Sequence, residues 1–293
     1  MKHKSGFVNI VGNPNVGKST LMNLFVGEKL SIITSKSQTT RHRILGIVNG
    51  EDFQIVYSDT PGVIKPAYKL QETMLNFSKS ALSDADVLLY VTDIYETPDK
   101  NPEFLKMVQE TKVPTILIVN KIDKVKAEDL DDIVDLWAET FPEAEIIPTS
   151  AIKEFNVKQV FNRILDLLPE GEAYYPKDVL TDKTERFFVQ EIIREKILKL
   201  YKKEIPYATE IEVEEFKEDG KLIRIRAIIY VERNTQKGII IGHKGAALKK
   251  VGTFARQDME AFFNKKIFLE MYVKVKKNWR NEDSDLKKFG YSF

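Results

Sequence analysis

Apolar residues along the chain fall into two kinds of run. FVNIVG (7–12), DVLLYVTD, TILIVN (115–120) and EIIPTS are short, β-branched and almost continuously apolar, as expected of strands buried on both faces. Between them EDLDDIVDLWAETF and NVKQVFNRILDLL repeat apolar residues at helical spacing, so Trp137 and Phe161 are expected in a core. RILGIVNGEDFQIVYS reads as two strands about an Asn-Gly turn, an antiparallel hairpin at a sheet edge. Strands alternating with helices predict an α/β domain with a doubly wound, mostly parallel sheet.

The pattern changes near residue 168. LPEGEAYYPKDVLTDKTER (168–186) carries prolines, glycine and mixed charge without a period, and reads as linker. RFFVQEIIREKILKLY then places Phe188, Ile192, Ile193, Ile197 and Leu200 on one helical face. TEIEVEEF and KLIRIRAIIYVE alternate as strands around Glu-Asp-Gly-Lys, ALKKVGTFARQDMEAFF is a helix and KIFLEMYVKVKK a last strand. The order is α-β-β-α-α-β. The expected division is 1–170, a linker at 171–184, and a second, α+β domain at 185–293.

Composition agrees with two ordinary globular domains: 293 residues, 43% apolar and 30% charged. The longest apolar runs are strand-sized, too short to span a bilayer. MKHKSGFVNIVG passes from a short basic tip into a strand without room for a signal peptide, so the cytoplasm is expected. With no cysteine, disulfides and cysteine-ligated metals are excluded. The net charge of +1 conceals an asymmetry: residues 1–183 carry −6 and residues 184–293 carry +7. The basic half points to a polyanion.

Chemistry enters with GNPNVGKST (12–20), a Gly-x-x-x-x-Gly-Lys-Ser loop between a strand and a helix. The loop Gly12, Asn13, Pro14, Asn15, Val16 and Gly17 to Thr20 forms an anion nest from the helix dipole and the backbone N–H groups of its residues other than Pro14. Lys18 can reach β- and γ-phosphates, and the Ser19 hydroxyl can ligate Mg²⁺. DTPGV supplies Asp59 as a second Mg²⁺ group, followed by Thr60, Pro61, Gly62 and Val63, with Gly62 able to meet a γ-phosphate. NKID contributes Asn120 to fix the loop, Lys121 along the base plane, Ile122, and Asp123, whose carboxylate matches the N1 and N2 hydrogens of guanine. Ser150 and Ala151 end another strand, where a backbone N–H can meet the guanine oxygen. In the polar stretch KLSIITSKSQTTRHR (29–43), Thr40, with Thr39 as the alternative, completes the Mg²⁺ set and makes this a switch. The stretch following Gly62 is expected to be a second mobile segment. Lys18, Ser19 and Thr40 are the candidate catalytic residues. Ras-type proteins carry a water-orienting glutamine where this chain has Val63, so hydrolysis is expected to be slow. Asn15 is either a K⁺ ligand beside the nucleotide or a turn residue.

The second half holds GIIIGHKGAALKK. Gly242 and Gly245 permit close backbone approach, His243 and Lys244 project into the gap, and Lys249 and Lys250 follow. Residues 236–280 carry 11 Lys and Arg against 3 Asp and Glu. These features predict a clamp on the phosphates of single-stranded RNA, with Ile239–Ile241 as an apolar platform for bases.

GNPNVGKST, QTTRH, DTPGV, NKID and the Ser-Ala pair, followed by YYPKD, LTDKTERF and IIGHKGAALK, resemble the Era family of bacterial GTPases over essentially the whole chain. The resemblance implies an N-terminal P-loop GTPase domain fused to a C-terminal type II KH domain. It also implies GTP, GDP and Mg²⁺ as ligands, and binding near the 3′ end of small-subunit (16S) ribosomal RNA. Its further implications are a role in maturation of the small ribosomal subunit, a cytoplasmic location with peripheral contact at the inner face of the membrane, and a monomer. The alternative is an RNA-binding module for which nucleotide is only a stabilising ligand.

Overall fold

The computed structural model describes residues 2–291, so the outermost residues of the two expected domains (1, 292 and 293) lie outside the described residues. The chain divides into two units, one running to Ala67 and resuming over Gln71–Asp182, the other comprising Tyr68–Leu70 and the chain from Lys183.

In the first unit the apolar runs become β1 (Lys4–Val11), β2 (Ile44–Asn49), β3 (Phe53–Asp59), β4 (Val87–Asp93), β5 (Thr115–Asn120) and β6 (Glu145–Pro148). They form one sheet in the order β2-β3-β1-β4-β5-β6, parallel throughout except for the β2–β3 hairpin. That hairpin turns through residues 50–52, with the Gly50 N–H donating to the Phe53 carbonyl at 2.9 Å and Gly50 outside the positive-φ region. A two-residue turn with both central residues at positive φ is therefore not what joins the strands.

The helices of this unit are α1 (Lys18–Val26), α2 (Lys69–Ser83, whose first two residues are counted with the second unit), α3 (Pro102–Gln109), α4 (Ala127–Thr140) and α5 (Val157–Leu167). Trp137 on α4 is buried against Tyr90 and Phe141, the core role expected of it, whereas Phe161 on α5 is half-buried, edge-on to the equally half-buried Phe53, at the margin of the core rather than in it. Most of the segment expected to be mobile after Gly62 is α2, which buries Leu70, Met74, Ala81 and Leu82. Its apolar residues at i, i+4 and i+11 give it a core-facing stripe that the polar residues between them disguise. The linker stretch up to Asp182 is strapped along the sheet edge. Gln54 and Tyr175 exchange backbone–amide bonds at 2.7 and 2.9 Å, Ile47 N–H donates to Leu180 O, and Thr181 Oγ1 donates to Leu45 O.

The second unit has α6 (Glu185–Leu200), β7 (Glu210–Asp219), β8 (Leu222–Val231), α7 (Asn234–Ile241), α8 (Ala246–Phe263), β9 (Lys266–Val275) and a short α9 (Asp283–Lys288). Its sheet order is β7-β8-β9, with β8 antiparallel to β7 and parallel to β9. Val189, Ile193 and Ile197 of α6 and Val251, Ala255 and Met259 of α8 bury against Ile223, Ile225, Ala227 and Ile229 of β8. The segment after β9, absent from the sequence-based elements, adds α9 and buries Trp279, whose indole N–H donates to Ala208 O at 3.1 Å.

Candidate functional site

The loop between β1 and α1 turns through Gly12, Asn15 and Gly17 at φ 143°, 66° and 106°. At Gly17 a β-carbon would lie 2.2 Å from Asn120 Nδ2, so only glycine lets the loop meet the end of β5. Asn120 uses that approach. Its Nδ2 donates to Val16 O at 2.7 Å and its Oδ1 accepts from the Ala151 N–H at 3.0 Å. One side chain thus ties three motifs together.

Lys18 is buried, with Nζ donating to the carbonyls of Gly12 and Asn13 at 3.1 and 2.8 Å. Ser19 Oγ donates to Asp59 Oδ2 at 2.6 Å and lies 2.9 Å from Thr40 Oγ1, which is 3.3 Å from the same carboxylate oxygen. The other Asp59 oxygen is buried without a hydrogen-bond partner. Burial raises the Asp59 carboxyl above its usual range, against the lowering effect of the Ser19 hydroxyl and the Lys18 charge. Thr39 lines the same cavity but does not join this set: its hydroxyl donates to Lys36 O at 2.6 Å and meets Thr34 Oγ1 at 2.7 Å.

These groups open into a cavity of about 450 Å³. Pro14, Asn15, Gly17, Lys18, Ser19, Thr20, Thr40, Gly62, Asn120, Lys121, Asp123 and Ala151 line it. Ile32, Ile33, Lys36, Gln38 and Ile152 line it too. Ile32, Ile33, Lys36 and Gln38 fall in the polar stretch expected to be a switch, though none of them is singled out by it, and Ile152 directly follows the Ser-Ala pair. Asn13, Val16, Thr60, Pro61, Val63 and Ile122 stand behind the wall. Thr60 Oγ1 donates to Ile10 O, Pro61 O accepts from Ser78, and Ile122 N–H donates to Thr149 O. Val63 is 3% exposed, in an apolar cluster with Val11 and Leu88, so only its backbone faces the loop.

At the base end, Ser150 Oγ donates to Asp123 Oδ1 at 2.6 Å, and this bond holds the Asp123 carboxyl below its usual range. Lys121, at φ 66°, pairs with Asp93 at 2.5 Å. The N–H groups expected to meet the guanine oxygen have partners within the protein, Ser150 on Phe155 O and Ala151 on Asn120 Oδ1. The Ser-Ala turn first of all orients Asp123 and Asn120.

Burial brings the Lys18 pKa down to about 8, against the raising effect of Asp59 and Glu96. The unfolded chain holds this proton more tightly, so Lys18 destabilises the free fold at neutral pH, and the penalty shrinks as pH rises from about 8 towards 10.5. A nucleotide phosphate favours the charged form. Binding of GDP at pH 8.5 should therefore take up a fraction of a proton, and affinity should fall as pH rises past about 8. Calorimetric titrations in buffers of different ionisation enthalpy measure this uptake; zero uptake would place Lys18 away from the phosphates.

In the second unit Gly242, at φ 71° and ψ 178°, leads into Lys244 at φ 48° and Gly245 at φ 80°. His243 and Lys244 are exposed between α7 and α8, and Lys249 and Lys250 are exposed on α8 itself. Beside them a groove of about 390 Å³ runs between α8 and β9, lined by Gly245, Leu248, Lys249, Gly252, Thr253, Arg256, Leu269 and Met271. The apolar platform differs from expectation. Ile239 is 51% exposed but Ile240 is fully buried, and Ile241 packs on the core. Three successive helical residues point about 100° apart, so they cannot share one face.

The fold and the paired sites define a P-loop GTPase domain followed in the same chain by a KH domain. Comparison with known proteins agrees. Residues 7–121 match the family described as 50S ribosome-binding GTPase, and residues 204–280 match the KH domain family. GTPase Era of Clostridium kluyveri is 46% identical over 98% of this chain and 99% of its own, and that of Staphylococcus haemolyticus 42% over 99% and 98%. A crystal structure of Era in complex with MgGDPNP and nucleotides 1506–1542 of 16S ribosomal RNA superposes with a TM-score of 0.95 at 38% identity, covering 99% of this chain and 100% of that one. An Aquifex aeolicus Era variant bound to GDP and aluminium fluoride gives the same values. The chain belongs to the Era family of GTPases.

Proposed function

We propose that the chain is a slow GTP-hydrolysing switch that grips small-subunit ribosomal RNA near its 3′ end and acts in maturation of the small ribosomal subunit. Residues 1–170 bind and hydrolyse GTP, 185–293 bind RNA, and 171–184 join them. The observation that carries the reading is the pairing, in one chain, of an Asp123–Ser150 base site beside the Lys18 loop with an exposed His243–Lys244 turn. The relative crystallised with MgGDPNP and 16S RNA supports both halves.

Ser19, Thr40 and Asp59 would hold Mg²⁺. Their oxygens converge, and the partnerless Asp59 oxygen suits a hard, oxygen-seeking cation. When bound, that ion neutralises charge developing on β- and γ-phosphate oxygens. Lys18 exchanges its two carbonyl partners for those phosphates. Asp123 accepts the guanine N1 and N2 hydrogens. Gly62 offers its N–H to the γ-phosphate. Val63 has no group to orient water, which leaves backbone, K⁺ at Asn15, or the RNA partner to do so.

The protein would act as a cytoplasmic monomer that meets the inner face of the membrane only peripherally, through charge. Among the described residues no helix is long and apolar enough to cross a membrane. Single-turnover GTP hydrolysis by the full chain, with and without an oligonucleotide of the 16S 3′ region and in K⁺ or Na⁺, tests the proposal. We expect slow turnover that RNA accelerates. Tight GTP binding without any turnover would favour the alternative, nucleotide as a stabilising ligand. A rate indifferent to the K⁺ exchange would leave Asn15 as a turn residue.

A further inference from the structure

Four polar side chains outside the cavity wall form a directed chain. Glu96, 8% exposed after β4, is paired with Lys100 and accepts from Asn13 Nδ2 at 2.5 Å. Asn13 Oδ1 accepts from Asn101 Nδ2 at 2.5 Å, and the same Asn101 amide donates to the Val63 carbonyl at 3.3 Å. The direction follows from Glu96. A carboxylate has no hydrogen to give, so Asn13 must turn its NH₂ toward Glu96 and its oxygen toward Asn101. That leaves Asn101 presenting NH₂, whose second hydrogen reaches Val63. The Val63 N–H is held as well, on Gly12 O at 3.2 Å.

Val63 follows Gly62, and Gly62 sits hard against the phosphate loop: a β-carbon there would lie 2.6 Å from Pro14 Cα. We infer that Asn101, oriented by Glu96 through Asn13, is a positioning residue: it holds the Val63 carbonyl while Gly12 O holds the Val63 N–H, and the two bonds together fix Val63, and Gly62 before it, against the phosphate loop with the Gly62 N–H facing the γ-phosphate. This rests on the GTPase reading above. In a chain whose position 63 has no glutamine, backbone is one of the groups left to orient water, and this clamp is what would hold that backbone in place. Neither Glu96 nor Asn101 falls within a nucleotide motif.

The test compares a GTP analogue with GDP, which lacks the γ-phosphate. Residue 101 is the N-cap position of α3 but its side chain makes no cap hydrogen bond, so Asn101→Asp removes no cap from the helix; it cannot donate to Val63 O and repels Asn13 Oδ1. We expect it to weaken GTP-analogue binding about tenfold, the loss of one hydrogen bond to a charged group, and to slow single-turnover hydrolysis by at least as much. GDP affinity should stay within about twofold. Glu96→Gln still offers Asn13 an acceptor, so its GTP-to-GDP affinity ratio should stay near wild type, whereas Glu96→Ala should lower it. Asn101→Ser, a smaller cap residue, should behave as Asn101→Asp does. An unchanged ratio in the Asn101 variants, or equal weakening of both nucleotides, overturns the clamp. Failure of the unaltered protein to bind GDP would instead overturn the reading of the site itself.

Discussion

Asp123→Asn is expected to weaken GTP binding by roughly a thousandfold while bringing XTP into the range that GTP loses. The carboxylate gives Oδ1 to the Ser150 hydroxyl, its Oδ2 lies 3.5 Å from Lys124 Nζ, and the residue lines the cavity. Two charge-assisted bonds to guanine are each worth ~1.5–3 kcal/mol, so removing the charge and turning an acceptor into an NH₂ donor costs about 4 kcal/mol. Xanthine carries an oxygen where guanine carries its N2 amine, and an NH₂ donor suits it. Because the Ser150 hydroxyl can still donate to the oxygen of the substituted amide, the loop geometry should survive. Competition binding of GTP, XTP and ATP to the same preparation measures the exchange. Unchanged GTP affinity would remove this loop from the base site.

Gly242→Asp is expected to reduce binding of single-stranded RNA by at least about a hundredfold and to lower the melting temperature of the second unit. At φ 71° and ψ 178° the backbone occupies a region that is essentially glycine's alone, with strain of ~1–3 kcal/mol for any other residue. A β-carbon would also stand 2.6 Å from Ala247 Cβ and 3.1 Å from its backbone nitrogen. The clash is therefore within the turn, before any RNA arrives, and the added negative charge then repels phosphate. Lys244→Ala separates charge from shape, since both residues carry a β-carbon at the same φ of 48°. It should weaken binding modestly and reduce the salt slope by roughly 0.7 for single strands. GTP affinity should be unchanged in both variants. Full-strength RNA binding by Gly242→Asp would make the turn only a turn and move the RNA site elsewhere on the basic half.

The local code was easy to read where a residue's role depends on its own backbone or its own period. The buried strands, Trp137 in its helix, and the glycines of GNPNVGKS and GHKG all belong to this kind. Their signals are φ preference and apolar spacing, and both act within a few residues. The α2 helix escaped notice for a related reason. Its apolar Met74, Ala81 and Leu82 are diluted by polar neighbours, and the burial of Ala81 and Leu82 comes from the cluster with Val11, Leu88 and Tyr90 of the sheet. Trp279 and α9 likewise gain their place from Ala208 and Phe289, partners supplied by folding rather than by spacing.

The sequence alone determined the doubly wound sheet, the phosphate loop, the guanine-type Asn-Lys-x-Asp, and the α-β-β-α-α-β order with its basic turn. Each of these is written in neighbouring residues. Tertiary structure decided which distant polar groups meet. It brought Thr40 rather than Thr39 to Ser19 and Asp59, gave the Ala151 N–H to Asn120, buried Ile240 while exposing Ile239, and joined Glu96, Asn13 and Asn101 to Val63. Hydrogen bonds between side chains 83 and 88 positions apart leave no trace in local pattern, because their geometry exists only after the sheet has set the strand ends side by side.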